Sequence, residues 1–143
     1  MNTKPSHKTR WRFWIVCILG CLWNAGGSVN YLMQTGAQYV SALPVSHQAI
    51  IIDRPGWATA GFAVGVFGGL LGCVLLMLKK TVCIPVLSLS LAGIVVTMVH
   101  TLDVVNTTGL FSFGEVFVMA IMPLVVALAL VLYARLVFTG VRR

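Results

Sequence analysis

Four long apolar stretches, each about the length needed to cross a lipid bilayer, limit what this chain can fold into. A hydrocarbon core of about 30 Å takes about 20 residues of α-helix. Trp11–Met33, Trp57–Leu78, Val82–Leu102 and Phe113–Phe138 each supply that length. No water is available inside lipid, so the backbone must satisfy its own hydrogen bonds, and a helix does this within one segment. The stretches lack the period-two alternation of a transmembrane barrel strand. The reading is an all-α, four-transmembrane-helix bundle, antiparallel and up-down, forming one membrane domain over residues 1–143.

Composition excludes the alternatives. The chain is 59% hydrophobic and 9% charged, against about 45–50% and roughly 25% in soluble domains. That rules out an ordinary soluble domain, a disordered chain and a disulfide-stapled module. The net charge of +7 would suggest nucleic acid in a soluble protein. Here the cations lie at the ends of the apolar runs instead: Lys4, Lys8, Arg10 and Arg12, then Lys79 and Lys80, then Arg135, Arg142 and Arg143. With four spans, nine of the ten Lys and Arg fall on one side and only Arg54 on the other. The positive-inside rule makes the nine-cation side cytoplasmic, with both termini on it. The expected partner of these charges is the bilayer, and no nucleic-acid role is expected. A cleaved signal ending near Ala25-Gly26-Gly27 is the minor alternative for the first span.

Local signals place the boundaries. Lys79-Lys80 leaves room only for a tight helical hairpin between the second and third spans. Asp53 before Pro55 and Trp57 reads as a polar cap followed by an early-turn proline. Trp57 belongs at the outer interface. Pro85 falls in a first turn, where a missing N–H does no harm. Pro123 falls inside the fourth span and should bend it. The outer side holds two loops, about Gln34–Gly56 and Asp103–Ser112, and Ala42–Ile52 has the character of a short interfacial helix. Asn106-Thr107-Thr108 has the form of a glycosylation acceptor and is read as chance.

Two sets of residues stand out. Gly61, Gly65 and Gly69, with Gly68 and Gly72 in a second register, form a small-residue seam of the kind that lets helices approach closely in lipid. The seam permits a homodimer or larger membrane complex without requiring one. The second set is polar: Asn24, Ser28, Asn30 and Tyr31 in the first span, Trp57, His100 and Asp103 at outer ends of the second and third, and Glu115 opening the fourth. Asn24, Ser28 and Tyr31 recur at helical spacing, so they are expected to share one face. His100, Asp103 and Glu115 are expected to converge, first as a clasp closing the bundle, with a small-solute pocket or a divalent-metal site as alternatives. Cys17, Cys21, Cys73 and Cys83 read as buried apolar thiols on the reducing side. No hydrolytic, phosphate-binding or redox motif occurs, so no enzyme activity, cofactor or metal is expected.

Three sequence stretches carry a resemblance. They are Trp23-Asn24-x-x-Gly27 with Asn30-Tyr31, then Pro55-Gly56-Trp57-Ala58 running into Gly65-x-x-Gly68-Gly69-x-x-Gly72, then Ser88-Leu89-Ser90-Leu91-Ala92-Gly93. Together, over about Trp23–His100, the chain resembles a family of small uncharacterised bacterial four-helix membrane proteins. Some of these are automatically labelled "sugar transporter". The resemblance implies a multi-pass protein of the bacterial inner membrane and carries over no functional residues. Two functions follow as expectations. The first is a non-enzymatic accessory or assembly subunit acting by helix association, motivated by the glycine seam. The alternative is a small-solute, sugar-like transporter working as an oligomer, its ligand unknown.

Overall fold

The computed structural model describes residues 7–140 of the chain, and side chains over 11–139. Lys4, Arg142 and Arg143 lie outside the described residues. Eight helical elements follow one another: α1 His7–Met33, α2 Ala37–Ser41, α3 Val45–Ile51, α4 Gly56–Met77, α5 Cys83–Thr108, α6 Phe113–Val116, a π-helical turn Phe117–Ile121, and α7 Met122–Gly140. α1, α4, α5 and the run from α6 through α7 are the four candidate membrane spans. The chain is therefore a multi-pass, all-helical membrane protein.

The hairpin between α4 and α5 closes through a Schellman motif. Lys80 N–H donates to Leu75 O and Lys79 N–H to Leu76 O, both at 2.9 Å, while Lys79 takes the left-handed conformation at φ 55°. This satisfies carbonyls that the last helical turn would leave open. Lys79 also lies over the Phe13 ring near the start of α1. Cys17, Cys73, Cys83 and Ala134 share one buried cluster. These contacts put the start of α1, the hairpin and the end of α7 on one side of the bundle, the terminal side. α2 and α3 lie on the other, the loop side.

α4 and α5 pack most closely, and the glycine seam explains why. A Cβ at Gly93 would stand 2.6 Å from Gly61 O and 2.7 Å from Gly65 N, so the two backbones touch. Gly72 accommodates Leu87, and Gly65 accommodates Ile94. Ser90 and Thr97 tie the same faces, donating to Gly65 O at 2.6 Å and to Ala58 O at 3.3 Å. On the other flank of α4, Gly69 leaves the space that Asn24 of α1 fills. α7 packs on α5. α1 and α7 meet through side chains near the terminal side, where Leu130 lies against Gly20.

Several boundaries differ from the sequence reading, each for a local reason. α5 continues to Thr108, six residues past Leu102, and stops at Gly109, which takes φ 62°. Thr107 and Thr108 sustain the extra turn by bonding back to Asp103 and Val104 carbonyls. The expected loop over Asp103–Ser112 is thus mostly helix. Asp53 does not cap α4; Pro55 holds that position without a side-chain bond, and Asp53 is exposed. The fourth span is capped instead by Ser112, whose hydroxyl accepts from Glu115 N–H while the Glu115 carboxylate accepts from Ser112 N–H. The outer loop holds two short helices, not one, and α3 is more than interfacial: Ser46 and Ile50 are buried. Where a bend was expected at Pro123, the structure shows a π-helical turn just before it. A proline cannot donate to the carbonyl four residues back, and widening the preceding turn relieves the ring.

Candidate functional site

The described residues line a half-open cavity of about 610 Å³ among all four spans, beneath α2 and α3. Its floor is Asn24, Leu87 and Leu130, and its walls include Val66, Ile94, Met98, Val118, Pro123 and Val126. Toward the loop side it is lined by Asn30, Gln34, Tyr39, His47, Ile51 and Arg54. From Asn24 to Gln34 is ten residues of helix, about 15 Å of depth at 1.5 Å per residue. The volume falls within the range of about 300–1,000 Å³ typical of small-molecule pockets.

α1 contributes through Trp23, Gly27, Asn30 and Gln34, which recur every three or four residues. This is not the face expected from sequence. Asn24 does reach the cavity, but Ser28 turns its hydroxyl onto Asn24 O at 2.9 Å. Tyr31 stacks edge-on against Phe62 and Phe67 of α4, with ring centroids 5.6 and 5.7 Å apart. The Asn24–Ser28–Tyr31 stripe therefore faces α4 and holds two helices together. Asn24 is anchored by its Nδ2, which donates to Gly20 O at 2.8 Å.

The expected convergence of His100, Asp103 and Glu115 occurs only in part: His100 and Asp103 border one hollow, and Glu115 lies apart. His100 is buried, with Nε2 3.1 Å from Ile50 O and its ring edge-on to Trp57 at 6.1 Å. It fastens α3 to α5. Asp103 is exposed and borders a hollow of about 420 Å³ outside the main cavity, shared with His100, Trp57, Pro55 and Asn106. Glu115 accepts from Ser46 Oγ at 2.8 Å and from Ser112 Oγ at 2.7 Å, which ties α6 to α3. The clasp expectation thus survives in altered form, as two separate latches on α3. Among the described residues no group of three or more His, Cys, Asp or Glu side chains is placed to hold a metal ion.

Arg54 is the residue that sequence reading set aside as the lone outer cation. Its guanidinium is half-buried at the mouth, hydrogen-bonded to Gln34 Oε1 and 5.3 Å from the Phe62 centroid. Burial pushes its pKa below the ordinary arginine value, with Tyr31 acting in the opposite direction. Tyr39 Oη reaches Asn30 Oδ1 at 3.5 Å across the same mouth. A signal for this arrangement was present: an arginine isolated on the side where cations are sparse. The Ser90, Thr97 and Thr101 spacing of seven and four likewise marks the α5 face that lines the cavity.

Family models, curated proteins and solved structures yield no match to this chain. The geometry therefore carries the functional reading.

Proposed function

We propose that the chain is a small-solute carrier or receptor of the membrane, binding its ligand in the loop-side cavity. The single observation behind this reading is a 610 Å³ space bounded by every span. Carrier sites lie near the bilayer midplane and are flanked by interrupted helices. The π-helical turn and Pro123 interrupt the fourth span at the cavity wall. α1 and α7, which face each other across the cavity, lack the close backbone approach seen between α4 and α5. This favours relative movement of those two walls. The resemblance to small bacterial four-helix proteins fits the same reading, with the bacterial inner membrane as the location and the terminal side in the cytoplasm.

The competing reading is an accessory subunit acting by association. Its motive was the glycine seam, and that seam is filled by α5 and Asn24 within the chain. Ala127→Trp, which fills the cavity, tests the proposal. Purified wild type in lipid nanodiscs should be stabilised by at least one compound in a broad solute panel, and Ala127→Trp by none. Asp103→Ala, outside the cavity, should behave as wild type. A panel that stabilises neither protein, or both alike, would overturn the reading.

A further inference from the structure

The polar groups of the cavity are unevenly available. Along the α5 wall, Ser90 donates to Gly65 O, Thr97 to Gly93 O at 3.0 Å and Thr101 to Thr97 O at 3.2 Å. Asn24 donates to Gly20 O. These hydroxyl and amide protons are committed to backbone carbonyls. What the deep half offers a ligand is chiefly methyl, methylene and thioether surface from Val66, Ile94, Met98, Val126 and Leu130. A free sugar, with an oxygen on every carbon, would find few donors there to replace the water it loses, and unpaired polar groups are costly to bury.

The mouth is the opposite. Arg54 is half-buried, and its partners are the neutral amide of Gln34 and the ring of Phe62. The sequence has three acidic side chains. Asp53 and Asp103 are exposed, and Glu115 is bound to Ser46 and Ser112. Among the described residues none of them pairs with Arg54. A partly buried cation without a counter-charge invites an anion, and arginine's planar fork suits carboxylate or phosphate oxygens. His47, Gln34 and Tyr39 stand around the same opening.

Resting on the carrier or receptor reading, we propose that the cavity takes an anionic amphiphile: an alkyl chain along α5 and α7, with a carboxylate or phosphate head at Arg54. Two sources supply that chemistry, a free fatty-acid-type molecule and an anionic lipid of the bilayer itself. The feature that decides for an amphiphile over a compact anion is depth. Below the mouth, Ile94, Val66, Val126 and Leu130 line the cavity down to its floor, within the depth of about 15 Å between Gln34 and Asn24.

The test uses the full chain in nanodiscs of zwitterionic lipid, with dodecanoate, dodecyl phosphate, dodecanol and glucose as probes. Binding is read by calorimetry, and by quenching of tryptophan fluorescence with brominated dodecanoate, since Trp23 lines the cavity. Dodecanoate should bind at least about tenfold more tightly than dodecanol, from one charged contact. Arg54→Gln should erase that difference, and Arg54→Lys should restore part of it. Ala127→Trp should remove binding of both chains. Circular dichroism and the melting temperature establish that each variant is folded.

Phosphatidylglycerol added to the nanodisc identifies the source. If it blocks dodecanoate, the occupant is a bilayer lipid; if it does not, the occupant is a free amphiphile. Either result supports the proposal. Equal affinity for dodecanoate and dodecanol, unaltered in Arg54→Gln, would overturn the anionic head while leaving the cavity reading standing. Glucose binding that Ala127→Trp abolishes, with no dodecanoate binding, would overturn the amphiphile and keep a solute site. No binding by any probe would overturn the proposal, and the solute panel would then judge the carrier reading separately.

Discussion

Gly93→Ala puts the internal seam to the most demanding test. The added Cβ would lie 2.6 Å from Gly61 O and 2.7 Å from Gly65 N. Both are backbone atoms of a facing helix, so no side chain can swing aside. Ordinary contact begins near 3.4 Å, so α4 and α5 must separate locally by about 0.8 Å. That movement would stretch the Ser90 bond to Gly65 O from 2.6 Å to the limit of a hydrogen bond, and break the Thr97 bond to Ala58 O, now 3.3 Å. Overpacking costs about 1–3 kcal/mol, and a lost interhelical hydrogen bond in a membrane protein about 0.6 kcal/mol. The expected destabilisation is therefore about 2–3 kcal/mol. The assay is reversible unfolding in mixed micelles titrated with a denaturing detergent, with Gly26→Ala as control because its Cβ would meet nothing within 4 Å. Gly93→Ala within about 0.5 kcal/mol of wild type would refute the reasoning, since that is the scatter of a neutral surface substitution. A stable Gly93→Ala chain with an altered oligomeric state would move the seam to a subunit interface.

Three further outcomes follow from the same geometry. Gly69→Ala should destabilise the protein by driving its Cβ to 1.9 Å from Asn24 Oδ1, and Asn24→Ala should partly rescue it; a double-mutant cycle in the same assay should give a coupling of roughly 1 kcal/mol. Lys79→Gly should stabilise the hairpin by about 1 kcal/mol by relieving a left-handed residue; no gain would mean that the Phe13 contact outweighs the strain. Ser112→Ala should cost about 1 kcal/mol through the lost cap and should raise hydrogen exchange in α3, because Glu115 then keeps only the backbone N–H of residue 112 and loses the hydroxyl that also aims it at Ser46.

The spans were legible because lipid leaves the backbone one economical solution, and because length and hydropathy report it directly. The seam was legible for a similar reason: Gly61, Gly65, Gly69 and Gly72 serve only close approach, and all four are buried. Which helix fills the seam was not, since spacing alone cannot distinguish α5 from a second chain. The polar residues were read by depth and periodicity, and here the reading failed in part. Ser28 and Tyr31 share a face with Asn24, but a polar side chain in lipid can satisfy itself on its own helix or on an aromatic neighbour. His100 and Glu115 both approach the loop side, yet α3 stands between them and gives each a separate partner, Ile50 O and Ser46 Oγ. Those pairings span 50 and 69 residues of sequence. Arg54 was passed over because a charge-counting rule treats a minority cation as an exception, whereas burial makes it the most chemically distinctive group at the mouth.

The π-helical turn at Phe117–Ile121 also sets the register of the whole fourth span. A π turn holds one residue more than an α turn, and each residue of an α-helix advances the face by about 100°. That single extra position lets one continuous helix present Glu115 to α3 above and Leu130 and Ala134 to the buried cluster below. Removing one residue between 117 and 121 would return the turn to α-helix and rotate one of these two contacts out of place. The insertion therefore couples the loop-side latch to the terminal-side core. A descendant that lost it would have to abandon either the latch or the core packing.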